Sequence, residues 1–193
     1  MRILHLHWSL ATGGTETMLA DIVNEQCKEH QVSIVVVNDC IDEMIRQRIS
    51  PQVRISCMKR KLASKNPLPL LKLNWELWKS RADVIHVHSN LLIRFIRTSI
   101  PMVRTIHSTL CSPLEYSRYK KLCSISESVK EFTASQGFPN SIVVYNGIHT
   151  DQIIPRTKPL TTEGIRQIIC VGRLETVSYT HLRAHETRGN LVC

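Results

Sequence analysis

The 193-residue sequence predicts an α/β domain built on a doubly wound parallel sheet. Three observations carry that expectation. Short apolar runs rich in Val and Ile recur between Arg2 and Val144. Most are followed by a longer stretch whose apolar residues fall at helical spacing. The apolar fraction, 42%, is enough to build a core in a chain of this length.

Taken in order, the first strand runs from Arg2 to Trp8 and passes through a Ser9–Gly14 turn into a helix over about Thr15–Glu29. Met18, Leu19, Ile22, Val23 and Gln26 form one stripe on that helix, the face expected to pack on the sheet. Further strands are expected at Gln31–Asn38, Gln52–Cys57, Asp83–His88, Met102–His107, Lys121–Ile125 and Ser141–Val144. Helices are expected at Asp42–Ser50, Pro67–Ser80, Asn90–Ile100 and Glu127–Gln136. The last of these is capped by Ser126 and stops before Gly137. Repeated β-α units in this order give a Rossmann-like domain.

The formal charge is +9 and the isoelectric point about 9.4, which favours an anionic partner. Aromatic residues make up only 5% and do not interleave with the basic clusters, so a base-stacking platform for nucleic acid is not expected. Seven cysteines, an odd number without a C-x-x-C pair, suit reduced thiols and a cytoplasmic setting. The N-terminus lacks the apolar core and cleavage site of a signal peptide, and no stretch is long enough to span a bilayer. The expected setting is cytoplasmic, with a peripheral place at the inner face of the plasma membrane left open.

Gly13 and Gly14 precede a helix N-terminus, where backbone N–H groups and the positive end of the helix dipole suit a phosphate or a sugar hydroxyl. The spacing is not G-x-G-x-x-G, which weakens a dinucleotide reading even though Asp39 is available at the end of the second strand. His86 and His88 close one strand and His107 another, at carboxyl ends where open α/β sheets bind ligands. Alternation places His86 with His88, and His5 with His7, on a shared face. Such pairs suit a metal, a core with satisfied ring nitrogens, or a polyhydroxylated ligand; without a fixed carboxylate partner, no metal is expected.

Lys59, Arg60, Lys61 and Lys65 precede a helix carrying Leu68, Leu71, Trp75 and Trp78. Two readings stand: docking on an anionic membrane, or a sheet-covering helix with Leu and Trp inward behind a solvated charge run.

After Val144, Tyr145-Asn146-Gly147 is a turn signal, and a polar stretch with Pro155 and Pro159 reads as a linker before a strand at Gln167–Val171. The run Val177–Thr187 has neither apolar period nor turn logic. It resembles the in-frame translation of a sequencing-library adapter, with Leu191-Val192-Cys193 resembling its next constant segment. Without that tail the chain is still strongly basic.

Six motifs in order carry a resemblance. They are Gly13-Gly14-Thr15-Glu16, Asp83–Ser89, Thr105-Ile106-His107, Ser124–Ser128, Val143–Ile148 and Ile169–Leu174. Over residues 1–175 the chain resembles glycosyltransferase family 4, retaining enzymes of the GT-B fold. The resemblance implies two Rossmann-like domains with the active site between them, a nucleotide-diphosphate sugar as co-substrate, and no metal or other cofactor. Residues 1–157 would be the N-terminal, acceptor-side domain, 158–175 the linker and first strand of the donor-binding domain, and 176–193 a non-native tail. By the same resemblance, the amides of Gly13 and Gly14 face the donor phosphate and sugar, His107 binds sugar hydroxyls as the catalytic-site residue, and Arg173 contacts the diphosphate. Thr15, Glu16, His88 and Ser126 would lie on the acceptor side. The lysine that follows Gly-Arg-Leu in the family is absent, as is the second domain, so a truncated and inactive chain is expected. An epimerase of the same architecture and a stand-alone sugar- or lipid-binding module are the alternatives.

Overall fold

A computed structural model of the chain describes residues 1–89, 93–109, 116–148, 150 and 154. The chain divides into two compact units, Met1–Ile148 and His149–Cys193, and the sheet lies wholly within the first. The expected linker, the strand at Gln167–Val171, Arg173 and the adapter-like tail lie outside the described residues.

Seven parallel strands form one sheet: β1 (Arg2–His7), β2 (Gln31–Val36), β3 (Arg54–Cys57), β4 (Val84–Val87), β5 (Met102–Ile106), β6 (Lys121–Ser124) and β7 (Ile142–Val143). Their spatial order is β3-β2-β1-β4-β5-β6-β7. The chain therefore reverses direction across the sheet between β1 and β4, and in open α/β sheets the carboxyl ends of the strands at such a switch are where a ligand crevice lies.

The α-helices are α1 (Gly14–Gln26), α2 (Glu43–Arg48), α3 (Leu68–Ser80) and α4 (Glu127–Ser135). Both sheet faces are covered. One face brings Val32, Ile34 and Val36 of β2 against Leu19, Ala20 and Val23 of α1 and Ile45 of α2. The other packs Leu4, Leu6, Ile85, Val87 and Ile106 with Leu73 and Leu77 of α3 and Val129 of α4. Strand alternation decides this division: Leu4 and Leu6 point to the α3 side, so His5 and His7 must point to the α1 side.

Strand and helix positions follow the sequence closely, with one clear exception. The helix expected over Asn90–Ile100 is, among the described residues, a single turn of 3₁₀ helix at Ile93–Phe95. Asn74 of α3 takes the backbone instead: its amide donates to the Phe95 carbonyl at 3.0 Å and its Oδ1 accepts from the Arg97 N–H at 2.6 Å. Thr98 Oγ1 then accepts from the Ile100 N–H at 3.1 Å. The Arg97 and Ile100 N–H groups, claimed by side chains, are not free to close helical rings. A further 3₁₀ turn at Tyr116–Arg118 was not foreseen.

Candidate functional site

The loop between β1 and α1 is held in place from the neighbouring strand connection. Leu10 is fully buried, its N–H donates to the Cys40 carbonyl at 2.9 Å, and its carbonyl accepts from the Asp42 N–H at 2.8 Å. The Thr12 hydroxyl donates to the Asp42 carboxylate, which also caps α2 by accepting from the Met44 N–H at 2.8 Å. These hydrogen bonds hold the Asp42 carboxyl below its ordinary range.

Gly13 is the N-cap of α1, in extended conformation and with no side-chain hydrogen bond to the first turn. Those leading amides are therefore available to a ligand, with the helix dipole behind them. A Cβ built at Gly14 meets nothing within 4 Å, so the packing of this domain does not require glycine there. Thr15 and Glu16 are half-buried in the first turn.

Beside this helix start, five histidines of three neighbouring strands share one sheet face. His5 and His7 come from β1, His86 and His88 from β4 and its end, and His107 follows β5. Register explains the gathering: His5 stands opposite His86, and β4 pairs in turn with β5. The rings cluster around His88, with centroids 4.2 Å from it for His86, 5.3 Å for His5, 5.9 Å for His7 and 5.8 Å for His107; His5 and His107 stack on it while His7 and His86 are tilted.

Burial keeps these rings neutral. It pushes His5, His7 and His107 down to about 4, His86 to about 3, and His88 well below its ordinary value. Neighbouring histidines add to the effect at His5, His86, His88 and His107, and the Arg104 guanidinium adds a little more at His107. Arg104 itself is buried on the opposite face, 4.9 Å from the Tyr116 ring.

The α1 side of the cluster is hydrogen-bonded in a defined order. Gln26 Oε1 of α1 lies 2.7 Å from His5 Nε2, which therefore carries the proton and donates. His5 Nδ1 is then left to accept from His88 Nε2–H at 3.0 Å. His88 Nδ1 is thereby a bare lone pair. His86 Nε2 is satisfied separately by the Thr105 hydroxyl at 2.8 Å.

Toward the carboxyl ends of the strands the hydrogen bonding is incomplete. His88 Nδ1, His7 Nε2 and His107 Nε2 are buried ring nitrogens with no hydrogen-bond partner among the described residues. His7 Nδ1 accepts from the Ser9 N–H at 3.3 Å, so the His7 proton sits on Nε2. That atom lies 3.9 Å from Glu16 Oε1, an approach between a neutral ring and a carboxylate rather than a hydrogen bond. Ring nitrogens at the carboxyl ends of β1, β4 and β5 thus lie buried with their hydrogen bonds unmade among the described residues, polar capacity that hydroxyls of a ligand could satisfy.

His5, His86 and His88 also form the group among the described residues with the composition of a metal site, their donor atoms all within 4.8 Å of one another. Two of those nitrogens are committed to each other in the His5–His88 hydrogen bond.

Of the residues singled out from sequence, Gly13, Gly14, Thr15, Glu16, His88 and His107 belong to the elements around this crevice. Ser126 caps α4, its hydroxyl accepting from the Val129 N–H at 3.3 Å. Lys59, Lys61 and Lys65 are exposed on the β3–α3 loop, whereas Arg60 turns back and binds the Ser64 and Asn66 carbonyls, the latter at 2.7 Å. The roles the sequence does not disclose are those of His7, a donor through Nε2 beside His88 and His107, and of Gln26, which fixes the tautomers.

The sequence profile of Glycosyltransferase Family 4 matches residues 12–152. Among solved structures, HepE of Anabaena in complex with UDP-glucose is 19% identical with a TM-score of 0.57, the match covering 78% of this chain and 45% of that one. A glycosyltransferase from Rickettsia africae is 18% identical with a TM-score of 0.58, over 80% of this chain and 46% of that one. A UDP-N-acetylglucosamine 2-epimerase from Rickettsia bellii shares the fold at 12% identity and a TM-score of 0.52, over 76% and 45% of the two chains. The chain spans less than half the length of these proteins. No curated protein matches it in sequence. With the family profile covering most of the described domain, the chain belongs to Glycosyltransferase Family 4.

Proposed function

We propose that this chain is the acceptor-side part of a retaining glycosyltransferase that moves a sugar from a nucleotide-diphosphate sugar to a polysaccharide, glycolipid or lipid-linked acceptor in bacterial cell-surface glycan synthesis. The observation that carries this reading is the row of unpartnered ring nitrogens on His7, His88 and His107 beside the uncapped start of α1. The α1 amides at Gly13 and Gly14 take the donor phosphate, where a helix N-terminus stabilises negative charge. His107, kept neutral, hydrogen-bonds a hydroxyl of the reacting sugar, with His88 and His7 behind it. Thr15 and Glu16 flank the acceptor. Arg173 supplies positive charge to the departing diphosphate, which gathers negative charge in the transition state. Attack comes from the leaving-group face, the diphosphate taking the acceptor proton, so no metal is needed.

In this reading the donor pocket belongs to a second domain, and the 193-residue chain alone does not turn over. The protein works in the cytoplasm, at the inner face of the membrane, with the basic loop Lys59, Lys61 and Lys65 toward anionic lipid. The test is sugar-dependent nucleotide release by a protein that joins residues 1–157 to a donor-binding domain, across a panel of nucleotide sugars. Release that falls at least about a hundredfold in His107→Ala supports the assignment. Epimerised nucleotide sugar as the product, or turnover by the 193-residue chain itself, contradicts it.

A further inference from the structure

A helix that covers a sheet needs one apolar face, and α3 has two. Leu73 and Leu77 are fully buried in the core. On the other side Leu68, Leu71, Trp75 and Trp78 are 66%, 64%, 58% and 69% exposed. At about 100° per residue these four fall within an arc of roughly 80° pointing away from the sheet. The inward alternative for the tryptophans is thereby corrected: Leu73 and Leu77 take the core positions.

The two indoles lie against each other, ring centroids 4.9 Å apart, and Phe95 is half-exposed on the segment that Asn74 of the same helix holds in place. Leu62, 79% exposed, sits in the basic loop next to Lys61. Lysines border the stripe, with Lys61 and Lys65 before it and Lys72 and Lys79 along its edge, all exposed. The one acid of α3, Glu76, is occupied by Arg54 at 3.0 Å.

We propose that this outer face of α3 is a membrane-inserting surface that seats the domain on an anionic bilayer. An apolar stripe of this size exposed on a folded domain marks an interaction site. Its tryptophans suit the headgroup level, where amphipathic rings collect, and the leucines reach the acyl boundary. The basic rim selects the lipid over a neutral partner, since each Lys near an anionic surface adds a similar increment of attraction. The helix lies in the interface plane. The surface extends the membrane contact of the basic loop to the apolar residues that hold it, and it is independent of sugar transfer because it is read without nucleotide sugar.

The test uses the 193-residue chain with vesicles of phosphatidylcholine alone and of phosphatidylcholine mixed equally with phosphatidylglycerol. Expected are co-sedimentation with the mixed vesicles and a blue shift of tryptophan emission quenched by brominated acyl chains. Trp75→Ser with Trp78→Ser abolishes the shift while leaving the circular dichroism spectrum unchanged. Lys61→Glu with Lys65→Glu weakens partitioning by more than about tenfold and reduces its sensitivity to salt. Equal binding to both vesicles, unquenched emission, or undiminished binding by the tryptophan variant overturns the proposal. So does a dimer that the tryptophan variant dissociates, because the stripe would then serve a second copy of the chain.

Discussion

At Gly14 a methyl group would enter open space, on the first residue of a helix. Gly14→Ala is therefore expected to leave stability unchanged or raise it by up to about 1 kcal/mol, alanine being the better helix former. Binding should respond in the opposite sense, because the methyl stands where a phosphate approaches the amides. Thermal melting and nucleotide-sugar affinity measured on the same variant separate the two effects; a loss of both would mean that the glycine is structural. The histidines make a second residue-scale prediction. Their pKa values are lowered on folding to about 4 at His5 and His7 from an ordinary value near 6.5, so the unfolded chain binds the protons. Stability is thus full above pH ~6.5 and is lost as the pH falls toward 4, on the order of 3 kcal/mol for one ring shifted this far. Urea midpoints at pH 7 and pH 5 check it, and His5→Gln should flatten the slope.

At the level of elements, α3 and the segment after β4 show what a sequence can and cannot disclose. A buried parallel strand such as Ile34–Val36 is legible because both faces are covered and the apolar run is continuous. The period of α3 is legible too, but its orientation is not, since Leu73 and Leu77 compete with a second apolar stripe of similar strength. Among the described residues, the helix expected at Asn90–Ile100 is reduced to one 3₁₀ turn because Asn74, distant in sequence, claims the Arg97 N–H. That difference predicts asymmetric costs. Leu77→Ala should lose about 2–5 kcal/mol by denaturant unfolding, while Trp78→Ala should lose less than about 1 kcal/mol. Comparable losses would place the tryptophan face inside.

For the whole molecule, the site was half legible. His88 and His107 could be flagged because each closes a strand, but the partnership of His7 with them depends on β1 lying beside β4, a sheet order that local pattern does not encode. The same order brings the carboxyl ends of β1, β4 and β5 together, and among the described residues the unpartnered ring nitrogens of these strands belong to His7, His88 and His107 there. Because His5 Nδ1 and His88 Nε2 share a proton, the purified chain is expected to carry no stoichiometric zinc by elemental analysis; one zinc per chain, lost in His86→Ala, would reassign the cluster. The most direct measurement of the central claim is a long-range ¹H–¹⁵N spectrum of the imidazoles during titration with nucleotide sugars such as UDP-glucose. At neutral pH all five rings should appear as neutral tautomers. Ligand should move His7, His88 and His107 together with the Gly14 amide, leaving the inner His5 and His86 almost unchanged. Charged rings at neutral pH, or shifts that spare His107 and Gly14, would contradict a sugar-binding crevice at the carboxyl ends of β1, β4 and β5.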